Sequence, residues 1–177
     1  MFAARDRPGW EADREALIAV LAGLSPARTL DVACGTGYLT RHLPGEVTGL
    51  DQSEAMIAIA SGRMPEARFV VADALPLPCG DREFERVFTG HFYGHLEEPA
   101  RTRFLAEARR VAEELVIADT ALQPDHQAEE WQERVLNDGS RHQVYKRFFS
   151  GDGLADELGG GEVLHAGPWF VVVRSPG

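Results

Sequence analysis

Short apolar runs alternate with longer amphipathic segments along the chain, and this alternation restricts the fold more than any other feature of the sequence. Strands that alternate with helices are typical of a parallel sheet with helices on both faces. Only residues 166–168 separate the last two strands, so these should form an antiparallel hairpin. The sequence predicts strands at 28–32, 46–50, 68–72, 86–89, 115–119, 162–165 and 169–174, and helices at 11–24, 37–43, 54–63 and 99–113.

The predicted fold class is therefore α/β, a doubly wound seven-stranded sheet that is mostly parallel and has an antiparallel hairpin at its C-terminal edge. The chain has 177 residues, of which 44% are hydrophobic, and this is enough to bury one full core. We expect a single domain that spans residues 1–177.

The charge and the cysteine content of the sequence limit the binding partners and the cellular compartment that we expect for the protein. The net charge is −10 and the 18 lysine and arginine residues are scattered, which argues against nucleic acid as a partner. No apolar run approaches the roughly 20 residues of a membrane span, so no membrane contact is expected. Cys34 and Cys79 lie far apart without CxxC spacing, which favours a reducing, cytoplasmic location and no structural zinc.

A glycine-containing loop follows the first predicted strand, in the stretch LDVACGTGYL at residues 30–39. A dinucleotide-binding loop needs three glycines in the order G-x-G-x-x-G, whereas Thr40 stands three residues after Gly37. Asp31 adds a negative charge at the mouth of the loop, which disfavours a phosphate. A ligand with an ammonium and a sulfonium would instead be attracted by this carboxylate, and the glycines would let it approach the backbone closely.

The stretch LDVACGTG resembles the first motif of the class I S-adenosylmethionine-dependent methyltransferases. GLDQSEAMI at 49–57 and VVADALPLPCGDREFERVF at 70–88 resemble the next two motifs of that family, in the same order. The resemblance covers about residues 10–120 and is closest to the small-molecule branch. It implies a Rossmann-like fold, S-adenosylmethionine as cofactor, S-adenosylhomocysteine as product and a small molecule as methyl acceptor.

The resemblance also implies a set of cofactor-binding residues. Asp51 would accept hydrogen bonds from both ribose hydroxyls, Asp73 from the adenine amino group, and Leu75 would pack on the adenine ring. The alternative for Asp51 and Asp73 is that they cap the turns or helices that follow. Ala33 replaces the first glycine of the family motif, although alanine tolerates a positive φ poorly. The complete implied set is Asp31, Ala33, Cys34, Gly35, Gly37, Asp51, Gln52, Asp73, Ala74, Leu75 and Thr89.

The residues after the fourth strand face the crevice where the strand order reverses, which is where open α/β sheets bind ligands. This segment contains His91, Tyr93 and His95. An imidazole can take a proton from the acceptor, so we predict His91 as the general base and His95 as a weaker candidate. The alternative is that both histidines only pack or bond to the backbone. No glutamate follows His91, so the HExxH metal motif is missing and no metal is expected.

Two further segments are predicted to cover the acceptor. Residues 120–150 form an insertion in which Trp131, Tyr145, Arg147 and Phe148 would line the acceptor pocket, and a partner-binding or structural cap is the alternative. Residues 1–24 would form an N-terminal lid and helix with Trp10 as its apolar anchor.

The predicted function is transfer of a methyl group from S-adenosylmethionine to nitrogen or oxygen of a small molecule, with carbon as a further option. The alternative is a non-catalytic S-adenosylmethionine-binding sensor or regulatory module. A short-chain dehydrogenase would need a Tyr-x-x-x-Lys pair, which Lys146 does not complete, because His142 stands four residues before it. The expected assembly is a monomer or homodimer.

Overall fold

The computed structural model describes residues 8–135 and 138–177. Its strands and helices alternate over most of the chain, as the sequence predicts. The strands are β1 (Ala27–Val32), β2 (Gly45–Asp51), β3 (Arg68–Val71), β4 (Phe84–Gly90), β5 (Ala112–Thr120), β6 (Glu129–Val135), β7 (Arg141–Arg147), β8 (Glu162–Ala166) and β9 (Phe170–Pro176). The helices are α1 (Trp10–Ala22), α2 (Glu54–Arg63), α3 (Glu98–Val111) and α4 (Gly151–Glu157).

Within the described ranges, seven strands form one sheet in the order β3-β2-β1-β4-β5-β9-β8. The first five strands of this sheet along the chain pair in parallel, whereas β9 pairs antiparallel with both β5 and β8. The predicted Rossmann-like sheet and its C-terminal hairpin are therefore confirmed. The strand order reverses between β1 and β4, and this places a crevice at the carboxyl ends of these strands.

The central strands are buried on both faces, as expected for parallel strands covered by helices. On one face, Leu17 and Leu21 of α1 pack in a cluster with Phe88 of β4. On the other face, Phe104 of α3 packs in a second cluster with Leu154 of α4. The two apolar layers hold the strand ends, and with them the crevice, in a fixed position.

The predicted helix at 37–43 is wrong, because the structure has only a single 3-10 turn at Thr40–His42 between β1 and β2. Gly37 has a φ of 73°, which ends any right-handed helix at that position. Leu43 precedes Pro44 and is extended, since a residue before proline avoids the helical region. Too few residues remain between these two positions for an α-helix.

The insertion at residues 120–150 contains a separate two-stranded antiparallel sheet of β6 and β7, which the sequence reading did not predict. Trp131 lies opposite Tyr145 in its register. Leu136 and Asn137 of the insertion lie outside the described residues, as do residues 1–7 of the predicted lid.

Candidate active site

A cleft of about 180 Å³ lies at the carboxyl ends of β1, β2 and β3. Six residues of the predicted cofactor site line it, together with apolar side chains from β2 and from the segment after β4. The wall consists of Ala33, Leu50, Asp51, Gln52, Ala72, Asp73, Ala74, Leu75, Phe92 and Leu96.

Asp51 is the last residue of β2, and backbone groups hold its carboxylate in place. Its Oδ2 accepts a hydrogen bond from the Gly35 amide at 2.9 Å, and its Oδ1 accepts one from the Ser53 amide at 2.9 Å. Each carboxylate oxygen can accept a further hydrogen bond. The side chain is thus oriented before any ligand arrives and can receive two neighbouring hydroxyl groups.

The loop after β1 has three residues in the left-handed region. The φ values are 60° for Ala33, 54° for Gly35 and 73° for Gly37. A Cβ added at Gly35 would meet no atom within 4 Å, so a ligand can reach the backbone there. Ala33 does adopt the conformation that alanine disfavours, at a cost of roughly 1 kcal/mol.

Asp31 lies behind this loop and not on the cleft wall. Its side chain is 2% exposed, and its Oδ2 accepts a hydrogen bond from the Thr40 hydroxyl at 2.6 Å. Burial raises the pKa of Asp31 to about 7, the hydroxyl of Thr40 opposes this rise, and the charge of Asp51 adds to it. Near neutral pH the protonated and ionised forms of this carboxyl are therefore both populated, and a cation that binds nearby favours the ionised form.

Cys34, Gly35, Gly37 and Thr89 of the predicted cofactor set also lie outside the cleft wall. Burial, reinforced by Asp31 and Asp51, raises the pKa of the Cys34 thiol to about 12, so this thiol is unreactive at neutral pH. The Thr89 hydroxyl donates to the carbonyl of Val32 at 2.8 Å and joins β4 to β1 where the strand order reverses.

Asp73 lies on the cleft wall and shapes the turn after β3. Its Oδ1 accepts a hydrogen bond from the Leu75 amide at 3.3 Å, in the manner of an Asx turn. The turn-forming alternative considered for Asp73 is thus present, and Ala74 and Leu75 face the same cleft.

A second, larger cavity of about 780 Å³ lies beside the first and reaches the ends of β5 and β9. His91, His95 and Trp10 line it, and so does Phe148, one of the four predicted pocket residues of the insertion. The other three do not line it. Trp131 is 59% exposed, Tyr145 packs edge-on against Trp131, and Arg147 forms an ion pair with Glu157.

His91 directly follows β4 and has a strained backbone with a φ of 59°. Its amide donates to the carbonyl of Ala118 at 2.8 Å, and its ring meets Phe170 edge-on at 5.4 Å. Desolvation in the concave wall lowers the pKa of His91, and Lys146 and His95 lower it further, whereas Asp119 opposes them. The imidazole is therefore neutral at neutral pH and able to accept a proton.

His95 lies one turn further and has a defined tautomer. Its Nδ1 is 2.9 Å from the carbonyl oxygen of Tyr145, and a carbonyl only accepts, so Nδ1 carries the hydrogen. Burial lowers the pKa of His95 as well, which leaves the neutral ring with Nε2 as its acceptor atom.

Asp119, the fully buried carboxylate near the end of β5, was not among the predicted site residues. It accepts hydrogen bonds from Lys146 Nζ at 2.7 Å and from the Gly94 amide at 2.8 Å. A signal was present, because Asp119 ends the apolar stretch LVIAD at the same sheet edge as Asp31 and Asp51.

Among residues 8–135 and 138–177, no group of three or more histidine, cysteine or acidic residues is placed to hold a metal ion. In the same part of the chain, no helix combines the length and the apolar character needed to cross a membrane.

The comparisons with known proteins point to one family. The Methyltransferase domain family matches residues 29–114. A demethylmenaquinone methyltransferase of Thermotoga maritima is 35% identical over 103 residues, which are 55% of this chain and 44% of that protein. O-methyltransferase cnsE of Penicillium expansum is 36% identical over 117 residues, which are 58% of this chain and 42% of that protein. The solved DhpI–SAH complex matches with a TM-score of 0.78 and 28% identity, covering 94% of this chain and 85% of that chain.

The doubly wound sheet, its antiparallel last strand and the acidic residues at the ends of β1 and β2 define a methyltransferase domain. Residues 29–114 therefore form a methyltransferase domain of the class I S-adenosylmethionine-dependent type, as the order of the motifs indicated. The chain spans less than half the length of the two curated relatives described above.

Proposed function

We propose that this chain is an enzyme that transfers a methyl group from S-adenosylmethionine to a nitrogen or oxygen atom of a small molecule, with carbon as a further option. One observation carries the proposal. The segment at residues 91–96 borders both cavities: Phe92 and Leu96 face the cleft at β1–β3, whereas His91 and His95 face the larger cavity. A donor in the cleft and an acceptor in the larger cavity would therefore lie next to each other along this segment, as direct methyl transfer requires.

The residues of the smaller cleft fit S-adenosylmethionine. Asp51 offers two oriented oxygens to a ribose diol, and Asp73, Ala74 and Leu75 present a polar and an apolar surface to an adenine ring. Asp31 supplies negative charge behind the loop, which favours a cationic ligand over a phosphate. When bound, S-adenosylmethionine supplies a methyl group that is already activated by its sulfonium.

The larger cavity suits a small acceptor. Its volume of about 780 Å³ lies within the usual range of ligand pockets, roughly 300–1,000 Å³. Trp10, Phe148 and Phe170 give it an aromatic wall, and the two imidazoles add acceptor atoms. A neutral His91 would take the proton of an attacking hydroxyl, or would deprotonate an ammonium group so that its nitrogen can attack, which is typically worth about 10²- to 10⁴-fold in rate.

The insertion at 120–150 would act as the cover of the acceptor. Glu130, Gln132 and Arg134 of β6 and Lys146 of β7 all line the larger cavity. The similarity to an O-methyltransferase supports oxygen among the acceptor atoms. Trp10 contacts Phe170 edge-on at 6.1 Å and supports a role for α1 in closing the same cavity.

Two measurements test the proposal. Calorimetry should detect binding of S-adenosylmethionine and S-adenosylhomocysteine, and uptake of NADH without either of them would overturn the proposed cofactor. An assay of S-adenosylhomocysteine production against a panel of small hydroxyl and amine compounds then tests turnover. Cofactor binding without product from any acceptor would favour the sensor alternative.

A further inference from the structure

A buried ion pair lies at the carboxyl end of β5, beside the acceptor cavity. Nζ of Lys146 is 2.7 Å from Oδ1 of Asp119, and the two side chains are 7% and 0% exposed. Lys146 is the only lysine of the chain, and it lines the acceptor cavity although its charge is paired. Asp119 has further partners, because its Oδ1 also accepts from the Thr120 amide at 2.7 Å.

This pair is in direct contact with the segment that carries both histidines. The Gly94 amide donates to Asp119 Oδ2 at 2.8 Å, and a Cβ added at Gly94 would lie 3.1 Å from both Asp119 Oδ1 and Lys146 Nζ. The amide of His91 bonds to the carbonyl of Ala118, next to Asp119. The ring of His95 bonds to the carbonyl of Tyr145, next to Lys146.

We propose that Lys146 is a positioning residue of the acceptor site: held by Asp119, it fixes the segment at residues 91–95 and places a positive charge near the imidazole of His91. The inference rests on the proposed function in one respect, since it takes the larger cavity as the acceptor site. The arrangement of charges can be tested without an acceptor.

The charges around His91 come from three elements. Lys146 on β7 and His95 on the turn oppose protonation of the His91 ring, whereas Asp119 on β5 favours it. Phe170 of β9 packs on the ring and carries no charge. Desolvation is the main cause of the lowered pKa of His91, and the ammonium of Lys146 offsets part of the opposing effect of the Asp119 carboxylate.

A buried ion pair is weak evidence for stability, because well-packed apolar residues often replace such a pair without loss. Lys146 and Asp119 also change the protonation equilibrium of His91, and apolar residues in their place would not do so. This effect therefore separates the proposed role from a purely structural one.

The test is an NMR titration of the six histidine rings in the full chain, with the signal of His91 assigned from a His91→Asn variant. The variants are Lys146→Met, which removes the charge, and Lys146→Arg, which keeps it. Arg141→Met is the matched control, because it removes a positive charge from the exposed start of the same strand.

We expect the His91 midpoint to rise by about 0.5 pH unit or more in Lys146→Met, the size of a charge interaction across a partly solvated cavity. It should stay in place in Lys146→Arg and Arg141→Met. Asp119→Asn should move the midpoint in the opposite direction, so either of the two variants decides the question if the other does not fold. An unmoved midpoint in a folded Lys146→Met or Asp119→Asn protein would overturn the proposal.

Calorimetry with S-adenosylhomocysteine on the same proteins separates this inference from the proposed function. We expect the affinity of Lys146→Met to stay within about threefold of the unsubstituted chain, because Lys146 does not line the smaller cleft. If the unsubstituted chain binds no S-adenosylhomocysteine, the proposed function fails, and the titration still decides whether Lys146 controls the charge of His91.

Discussion

At the scale of single residues, the site depends on carboxylates held at strand ends by the backbone. Asp51 accepts hydrogen bonds from Gly35 and Ser53, and Asp119 from Gly94 and Thr120. Such side chains cannot turn away from a ligand, which reduces the entropy that binding must overcome. The sequence indicated Asp51 through its place in a motif, whereas the only sequence signal for Asp119 was its position at the end of an apolar strand, and its partner Lys146 became visible only in the structure.

Asp51→Ala should weaken binding of S-adenosylhomocysteine by about 1.5–3 kcal/mol, the scale of hydrogen bonds to a charged group. Calorimetry measures the change. Glu46→Ala is the control, since it removes an exposed carboxylate from the other end of the same strand. Equal affinity of the Asp51→Ala and unsubstituted proteins would remove Asp51 from the site.

Asp31 should make cofactor affinity depend on pH. Its pKa of about 7 in the free protein means that much of it is protonated at pH 6 and ionised at pH 8. A cationic ligand favours the ionised form, so affinity for S-adenosylmethionine should rise from pH 6 to pH 8 and then level off. Asp31→Asn should bind with a flatter dependence, and a dependence as steep as before would show that another group is responsible.

His91→Asn should lower turnover about 10²-fold or more while leaving the affinity for S-adenosylhomocysteine within about twofold. Asparagine is chosen because it accepts a positive φ better than alanine does. Because the pKa of His91 is lowered, activity should fall only when the pH drops below the ordinary value of about 6.5. His142→Asn, on the exposed part of β7, is the control, and normal turnover of His91→Asn would exclude His91 as the base.

At the scale of elements, prediction succeeded where apolar spacing and caps agreed. The predicted helix at 54–63 matches α2, whose N-cap Ser53 accepts a hydrogen bond from the Met56 amide. Prediction failed at β6 and β7, because charged and polar side chains occupy most positions of EEWQERV and RHQVYKR. One face of this hairpin lines a cavity and not the core, so the hydrophobic alternation of an ordinary strand is missing.

The turn before β2 gives a prediction at this scale. Gly45 has a φ of 98°, and a Cβ there would lie 2.4 Å from backbone atoms of Ala27. Gly45→Ala should therefore lower the free energy of unfolding by about 3 kcal/mol or more, from strain and overlap together. Gly160→Ala is the matched control: its φ is 103° and the space around it is open, so about 1 kcal/mol of strain is expected. Urea unfolding measures both, and equal losses would contradict the steric explanation.

At the scale of the whole molecule, the first helix and the last hairpin are joined through one carboxylate. Oδ2 of Asp13 accepts hydrogen bonds from the amides of Trp169 and Phe170, and Oδ1 lies 2.7 Å from Nε2 of His165. Since Trp10 and Phe170 both line the larger cavity, this contact fixes its aromatic wall. Sequence patterns predicted α1 and the hairpin but not their junction, because Asp13 is an isolated acidic residue on a helix.

Asp13→Ala should lower the free energy of unfolding by about 2–4 kcal/mol, because it removes the acceptor of three polar contacts, of which the one with the Phe170 amide is buried. Chemical denaturation measures the loss. Glu15→Ala, an exposed acidic residue of the same helix, should change stability by less than about 0.5 kcal/mol. A similar small effect for both variants would show that the junction is not held by Asp13.

The position of the β6–β7 hairpin beside only one of the two cavities bears on how such a domain can acquire new substrates. The β6–β7 hairpin forms its own small sheet. It supplies side chains to the larger cavity, whereas the wall of the smaller cleft contains none of its residues. If the larger cavity holds the acceptor as proposed, we expect exchange of this hairpin for another of the same length to change which compounds are methylated and to leave cofactor binding unchanged. Residues 121 and 149 are suitable junctions for such chimeras, because a β-bridge joins them at the base of the insertion. Each chimera would keep the sheet and the smaller cleft and would carry a different hairpin beside the larger cavity.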